Sequence, residues 1–179
     1  MKIIVIIIAA IVAIALLVYA YFGGFKKVSV TTSSMGGETV VYEEITGDYK
    51  QSGAVMDKVY YSLRDTDNIE TFKGFGIYYD NPQTTEKSKL RSEAGCIIEP
   101  GDIDKVNLIS GEFKVKALPE KEYLVTEFPY KGKMSVVFGI MKVYPAMNKY
   151  AEKNNLSAEG PVTEIYDVPN KKIIYRKEI

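Results

Sequence analysis

The stretches IYYDNP (Ile77–Pro82) and EIYDVP (Glu164–Pro169) each close an apolar run with Tyr-Asp-x-Pro, and the two copies stand 87 positions apart. A second match, KVY, recurs at Lys58–Tyr60 and Lys142–Tyr144. Matches this short arise by chance, so they indicate an internal repeat only where the surrounding elements recur in the same order.

The first half of the chain has the pattern strand, helix, strand, strand. The β-branched and aromatic residues of TVVYEEI (Thr39–Ile45) predict a strand. Apolar residues at i, i+4 and i+8 over Val55–Leu63 predict one face of an amphipathic helix. The runs GFGIYYD (Gly74–Asp80) and EAGCIIE (Glu93–Glu99) predict two further strands.

The second half repeats this order. EYLVTEF (Glu122–Phe128) predicts a strand, and residues 135–153 predict a helix that Pro145 should kink or divide, because proline lacks an N–H and clashes with the preceding turn. The runs 161–167 and 171–177 predict a hairpin. We therefore expect an α+β fold of two pseudo-duplicated strand-helix-strand-strand units, with their sheets joined and their helices on one face.

The N-terminal segment predicts a transmembrane helix. Ile3–Phe22 contains no charge, glycine or proline, and a helix of this length at about 1.5 Å per residue spans a hydrocarbon core of about 30 Å. A cleaved signal peptide is the alternative, but its apolar core is shorter, about 7–15 residues, and ends in small residues. This run ends in Tyr19, Tyr21 and Phe22, which are typical of a membrane interface.

These patterns divide the chain into three parts: a transmembrane anchor with its flank at 1–27, a tether at 28–38, and a folded α+β domain at 39–179. The tether is predicted from TTSSMGGE (Thr31–Glu38), which is small and polar. The lysine pair that follows the anchor, set against one lysine before it, favours a single-pass membrane protein with a cytosolic domain.

Composition excludes several classes of function. Basic and acidic residues balance at 23 each, so no global field attracts nucleic acid, and we expect no direct nucleic-acid partner. The chain has no histidine, the commonest general base and metal ligand, and its one cysteine, Cys96, lies among apolar neighbours as a small hydrophobe would. We therefore expect no metal, no cofactor and no Ser-His-Asp or Cys-His catalytic residues.

Glu164 is the leading candidate for a binding residue. Alternate residues of a strand share a face, so Val162, Glu164 and Tyr166 point one way. Matching the two Tyr-Asp-x-Pro motifs aligns Tyr166 with Tyr79 and Glu164 with Ile77, so a position that is apolar in the first half is anionic in the second. If this face lines a cleft, a partly desolvated carboxylate beside aromatic rings would bind a cationic or amphipathic ligand.

A second interpretation of Glu164 remains open at this point. In this interpretation the strand face that carries Glu164 is solvated, and the carboxylate pairs with Lys171, Lys172 or Arg176 of the neighbouring strand. Such cross-strand ion pairs are common and contribute little. Glu127, on the strand 122–128, is interpreted as a solvated carboxylate at the end of a strand.

Tyrosine residues are the other candidates for a binding site. The chain contains 14 tyrosines and no tryptophan, and tyrosine rings can form flat, partly polar pocket walls as well as cores. The predicted ligand-binding set is Glu164, Tyr166, Tyr79, Tyr78 and Tyr130. Packing in the core or across strands remains the alternative for these tyrosines, as it does for Tyr144.

The motifs YYDNP, FPYKG, VYPAMNKY and EIYD resemble those of the GyrI-like (gyrase-inhibitor-like) small-molecule-binding domain family. The resemblance covers about Val28–Lys177 and is nearest to a single-span, membrane-anchored branch that includes a testis-expressed endoplasmic-reticulum protein. It implies a duplicated fold with a central cleft, in which a glutamate on a late strand meets the ligand among aromatic residues. By position that role falls to Glu164, with Tyr166 on the same face.

The resemblance leaves three functions open. Relatives include effector-binding domains of multidrug-sensing transcription regulators, but no helix-turn-helix unit precedes this domain, so DNA contact is not implied. We expect a membrane-tethered binding module for small cationic or amphipathic molecules. The alternatives are a hydrolase of strained-ring toxins that uses Glu164 as acid or base, and a scaffold whose cleft binds a protein partner at the membrane.

Overall fold

The computed structural model describes residues 1–109, 113–157 and 159–179 of the 179-residue chain. The helices are α1 (Lys2–Tyr21), α2 (Ser52–Asp65) and α3 (Lys133–Lys153). The strands are β1 (Thr31–Met35), β2 (Thr39–Thr46), β3 (Lys73–Tyr78), β4 (Arg91–Ile97), β5 (Lys114–Ala117), β6 (Lys121–Pro129), β7 (Val162–Asp167) and β8 (Lys172–Glu178). They form one antiparallel sheet in the order β1-β6-β8-β7-β3-β4-β2-β5.

The predicted duplication is confirmed. The first unit is β2-α2-β3-β4 and the second is β6-α3-β7-β8, each in the order strand, helix, strand, strand. The units meet where β3 pairs with β7, with Lys73 opposite Asp167 and Gly76 opposite Glu164. Backbone hydrogen bonds therefore run unbroken from one unit into the other, and the two sheets are one.

Both domain helices pack on the same face of this sheet. In α2, Val59 and Leu63 are completely buried against the first unit, and in α3, Val143 and Met147 are completely buried against the second. Each such side chain contributes about 1.5–3 kcal/mol through burial. Helix α2 lies mainly over β4 and β2 and touches β3, and α3 lies over β6 and β8, so the gap between the two helices falls above the central strands β3 and β7.

The opposite face of the central strands has a different environment. Phe75 and Ile77 of β3 and Ile165 of β7 are buried in an apolar cluster on that side. Since successive side chains of a strand alternate between faces, Gly76 and Glu164 face the helices instead. This alternation decides which residues of β3 and β7 can form a site.

Of the two predicted effects of Pro145, a kink or a division, division does not occur, because helix α3 continues without a break through this residue. Pro145 is exposed, and the carbonyl four residues before it belongs to Met141, which is also exposed. Water can therefore bond the carbonyl that loses its helical partner. The remaining turns of the helix are held by their packing on the sheet.

The predicted tether over 28–38 is wrong in its central part. Thr31–Met35 form the edge strand β1, which pairs with β6. An edge strand needs only backbone partners on one side and can leave polar side chains in water. Small polar residues are therefore compatible with a strand wherever a neighbouring strand offers an unpaired edge, as β6 does here.

Helix α1 is the one helix in the described ranges that is long and apolar enough to cross a membrane, and none of its residues is buried. A signal sequence near the N-terminus passes the same test of length and hydropathy. Single-pass membrane localisation and the facing side of the domain therefore remain predictions.

The end of α1 contacts the domain directly. The ring of Tyr19 packs edge to face on Phe138 of α3, with 5.2 Å between ring centroids. The ammonium group of Lys142, also on α3, donates hydrogen bonds to the carbonyl oxygens of Gly24 and Lys26. The apolar helix is thus joined to the domain by specific contacts on α3.

We predict opposite stability effects for two glycine-to-alanine changes within helices. A Cβ at Gly139 would lie 2.2 Å from the hydroxyl oxygen of the buried Tyr175, whereas nothing lies within 4 Å of a Cβ at Gly53. Gly139→Ala should lower the free energy of unfolding by about 1–3 kcal/mol through overpacking. Gly53→Ala should raise it by up to about 1 kcal/mol through helix propensity. Urea denaturation of the full chain in detergent, followed by tyrosine fluorescence, measures both, and effects of the same sign would contradict the close packing of α3 on β8.

Candidate functional site

An open groove of about 2280 Å³ runs between α2 and α3 above the central strands. On its floor, Gly74 and Gly76 of β3 carry no side chains, and opposite them on β7 stand Tyr166 and Glu164. The walls come from both helices and include Met56, Tyr60, Ile140 and Tyr144. A Cβ at Gly76 would lie 2.7 Å from the hydroxyl oxygen of Tyr78, and one at Gly74 would lie 3.4 Å from the sulfur of Met56, so these two side chains pack over the glycines.

Glu164 is 1% exposed on the floor of this groove. The hydroxyl of Tyr144, from α3, donates to its Oε1 at 2.9 Å, and the hydroxyl of Tyr166, from β7, donates to its Oε2 at 2.5 Å. In the described part of the chain no lysine or arginine nitrogen lies within 4.0 Å of the carboxylate. Glu164 therefore has two hydroxyl donors and no counter-charge.

Burial controls the protonation of this group. Desolvation raises the pKa of Glu164 above its ordinary value of 4.5, and the hydrogen bonds from Tyr166 and Tyr144 offset only part of that rise. The pKa values of Tyr144 and Tyr166 are raised well above the ordinary value by burial and by the nearby carboxylate. Both tyrosines therefore stay protonated and act as donors, and a positive charge entering the groove would favour the ionised glutamate.

More tyrosines surround this centre. The ring of Tyr130 packs edge to face with Tyr166 at 5.7 Å between centroids, and the ring of Tyr175 does so with Tyr144 at 6.2 Å. Tyr175 lies directly opposite Glu164 on β8. Burial is also the main cause that raises the pKa of Tyr78, with the Glu164 charge second. The result is a carboxylate enclosed by aromatic rings whose electron-rich faces attract cations.

All five residues of the predicted set border the groove, but the side chain of Tyr79 also reaches a small pocket on the opposite face of the sheet. Glu164, Tyr166, Tyr78 and Tyr130 all line the groove. Tyr79 is directed to the opposite face, where its side chain lies beside Ile77 and Thr163, and it is 38% exposed.

The misplacement of Tyr79 has a simple physical cause. Matching the letters of the two motifs aligned Tyr166 with Tyr79, but it is Tyr78, facing the helices, that shares a face with Tyr166. An offset of one residue moves a side chain to the other face of a sheet. The repeated motif therefore marks the ends of equivalent strands without preserving which face each tyrosine occupies.

The alternative interpretation of Glu164, a solvated carboxylate in a cross-strand ion pair, is wrong. Its neighbour on β8 is Tyr175, and Lys172 instead pairs with Glu127 at 2.6 Å. Arg176 lies on the other face, where its guanidinium binds Glu38. Glu127, by contrast, is exposed, as expected, and it pairs with Lys172.

Sequence reasoning underrated or missed three contributors to the site. Tyr144 was interpreted mainly as a core residue, although it continues the helical spacing of Val136 and Ile140 that faces the groove. Tyr175 is placed by the register of the β7–β8 hairpin, which the turn length alone did not fix. Lys177, which also lines the groove, carried no signal in sequence beyond its alternation with Tyr175.

The described residues give little support for metal binding or for thiol chemistry near the groove. Within the described ranges no three His, Cys, Asp or Glu side chains come together as metal ligands. Cys96 is buried, and burial raises its pKa to about 11. Since a thiol with a raised pKa carries little thiolate, Cys96 is a poor nucleophile.

The GyrI-like small molecule binding domain family matches residues 36–176, most of the chain. The chain belongs to this family. The sheet of two repeated units with an open groove between their helices is thus the small-molecule-binding domain of a GyrI-like protein. Comparison of the sequence with curated proteins gave no significant match.

Solved structures share the fold of this GyrI-like domain at low sequence identity. The EcmrR C-terminal domain superposes with a TM-score of 0.58 at 8% identity, covering 84% of this chain and 96% of that one. SAV2435 bound to tetraphenylphosphonium gives a TM-score of 0.54 at 11% identity, covering 83% and 92%. EcmrR in its complex with DNA gives 0.59 at 9% identity, where the match covers 92% of this chain but 64% of EcmrR.

The buried Glu164 predicts a specific pH dependence of stability. Because its pKa is raised in the folded state, the unfolded chain loses this proton first as pH rises. Glu164 therefore stabilises the fold most below its ordinary pKa, and this contribution is lost as pH rises through the folded-state value.

The measurement compares wild type with Glu164→Gln by urea denaturation at a series of pH values. The difference in unfolding free energy, wild type minus variant, should fall as pH rises above 4.5, the ordinary glutamate value. Taking the difference removes the titration of groups common to both proteins. A difference that stays constant or grows with pH would show that Glu164 is not desolvated.

Proposed function

We propose that this GyrI-like domain binds small cationic or amphipathic molecules in the groove, with the Glu164 carboxylate facing the positive charge. The observation that carries the proposal is a carboxylate 1% exposed, bonded only by tyrosine hydroxyls among the described residues, at the floor of an open groove. We further propose that α1 tethers this domain to a membrane, with the domain on the cytosolic side.

The energetics favour a cationic guest. An ionised carboxylate removed from water without a counter-charge is unfavourable, and proteins usually respond by protonating it. A cation in the groove would provide the missing charge, and the surrounding tyrosine faces would add cation–π attraction of about 0.5–2 kcal/mol. Apolar walls from Ile140 and Met56 would cover the hydrophobic part of such a ligand.

A solved relative supports this ligand class. SAV2435, which shares the fold at 11% identity, was determined with tetraphenylphosphonium bound, a lipophilic cation without hydrogen-bond donors. Recognition of such a cation depends on charge and on aromatic or apolar contact, which are the two features concentrated around Glu164.

Binding fits the geometry of Glu164 better than acid or base catalysis. Attraction to a cation acts without a hydrogen bond, whereas proton transfer needs a carboxylate oxygen within hydrogen-bond reach of the substrate, and Glu164 is 1% exposed with both oxygens bonded to tyrosine hydroxyls. The hydrolase of strained-ring toxins and the protein-binding scaffold remain predictions.

The test is a titration of the full chain, in detergent or nanodiscs, with tetraphenylphosphonium. Glu164→Gln keeps the size and polarity of the side chain but removes the charge, and it should weaken binding at least about tenfold, or about 1.4 kcal/mol. Glu127→Gln is the matched control, because Glu127 is an exposed strand glutamate outside the groove, and it should leave affinity unchanged. Equal affinity of wild type and Glu164→Gln would remove Glu164 from the site.

A further inference from the structure

A second charged group lies in the groove. Lys177 of β8 is opposite Val162 of β7, while Glu164 is opposite Tyr175, so the lysine and the glutamate are diagonal neighbours on the same face. Diagonal positions of paired strands are about 7–8 Å apart. Both residues line the groove, and one small molecule can therefore span them.

Lys177 is buried, which is unusual for a lysine. It is 8% exposed, and burial lowers its pKa below the ordinary value. Its Nζ donates to Oδ1 of Asn148 on α3 at 3.0 Å. In residues 1–109, 113–157 and 159–179 no carboxylate oxygen lies within 4.0 Å of this nitrogen, although the exposed Glu152 and Glu159 also border the groove.

We propose that Lys177 binds a negatively charged group of the ligand, so that the preferred guest is zwitterionic: a cation at Glu164 and a carboxylate, sulfonate or phosphate at Lys177. An ammonium group has three donors, and Asn148 accepts one of them. A buried ammonium without an anion is unfavourable for the same reason as the buried carboxylate, and one zwitterion compensates both. This inference rests on the proposed function, because it assigns a second contact in the same groove.

The experiment uses two probes that differ in one group. Propyltriphenylphosphonium is a cation, and 3-(triphenylphosphonio)propane-1-sulfonate carries the same cation with a sulfonate on its propyl chain. Wild type, Lys177→Gln and Lys177→Arg are titrated with each probe by calorimetry, using the full chain in nanodiscs. Lys177→Gln retains a donor for Asn148 without the charge, and Lys177→Arg retains the charge.

The zwitterion should bind wild type more tightly than the cation does, and Lys177→Gln should weaken the zwitterion about tenfold while leaving the cation within about twofold. Lys177→Arg should keep the preference for the zwitterion, and the retained binding of the cation by Lys177→Gln excludes loss of folding as the cause. Equal losses for both probes, or no loss for either, would overturn the proposal. Glu164→Gln should weaken both probes, so failure of the proposed function shows in that variant and not in the comparison of the two probes.

An independent observation concerns the position of α3 relative to the anchor. Tyr19 and Tyr21 belong to the last turn of α1, and they contact Phe138 and the ammonium group of Lys131, which lies 4.4 Å from the ring centre of Tyr21. The first half of α3 therefore lies at the same level as the end of α1. If α1 crosses a bilayer, this level is the lipid–water interface.

The side chains exposed at this level are unusually apolar. Met134, Val137, Ile140 and Met141 of α3 are each between 45% and 66% exposed. Phe72 and Val168, at the same end of the sheet, are 45% and 57% exposed, and their backbones are hydrogen-bonded to each other. All of these residues except Met134 also border the groove, so the exposed apolar surface adjoins its opening, and exposed apolar side chains grouped in this way mark a contact surface.

We infer that this surface, Met134–Met141 with Phe72 and Val168, rests on an anionic lipid bilayer. Two observations favour a lipid bilayer as the partner of this surface. The surface is continuous with α1, which brings it to the interface. Four lysines stand near it in sequence, namely Lys26, Lys27, Lys131 and Lys133. Apolar side chains would enter the headgroup boundary while the lysines bind anionic headgroups. This inference rests on α1 spanning the membrane and not on ligand binding.

Lipid contact is measured by fluorescence quenching. The full chain carries an environment-sensitive dye on a cysteine placed at Met141 or, as control, at exposed Lys153, which is 12 residues further along the same helix, or about 18 Å. Cys96 is buried with a raised pKa and should remain unlabelled. The vesicles contain phosphatidylcholine and phosphatidylglycerol, with spin-labelled phosphatidylcholine as quencher.

Dye at position 141 should be quenched at least about twofold more than dye at position 153, and Val137→Glu should reduce that difference because a buried charge disfavours insertion. Equal quenching at both positions, in chains that resist alkaline extraction from the vesicles, would overturn the lipid contact. Chains that extract would overturn it as well, because the anchor would then not span the bilayer.

Discussion

The antiparallel pairing of β3 with β7 is the constraint on which the rest of the structure depends. It joins two similar units into one sheet, and it places the central strands below the gap between α2 and α3. The same pairing sets a glycine of the first unit, Gly76, opposite the glutamate of the second, Glu164. The two halves are thus alike in fold and unlike in chemistry at the one place where they meet.

The electrostatics of the groove follow from that placement. Glu164 is removed from water by the sheet below it and by Tyr144 above it, so its charge is governed by burial and by two hydroxyl donors. Interactions between charges are stronger in such surroundings than at an exposed surface. Under the proposed function, this one group would give selectivity for charge without a large number of polar contacts.

Local pattern was sufficient to predict the repeated order of strands and helices, because alternation in strands and the four-residue spacing of α2 are properties of short segments. The edge strand β1 was missed, since its Thr and Ser residues carry no apolar signal and its partner, β6, is about 90 residues away in sequence. Glu164 was identified as a candidate, but its burial depends on Tyr144 from a different element. Tyr79 was misplaced because a match of letters does not fix a strand register.

Because the floor of the groove is one hydrogen-bonded sheet, it limits the size of the ligands that the groove can admit. Neighbouring strands stay about 4.8 Å apart, so β3 and β7 cannot separate to admit a larger molecule. Adaptation must come from above, through small shear movements of α2 and α3 and through the flexible thioethers of Met56 and Met141, which line the groove. Under the proposed function, the helices would therefore accommodate ligands of different shape, and the sheet, which carries Glu164, would select their charge.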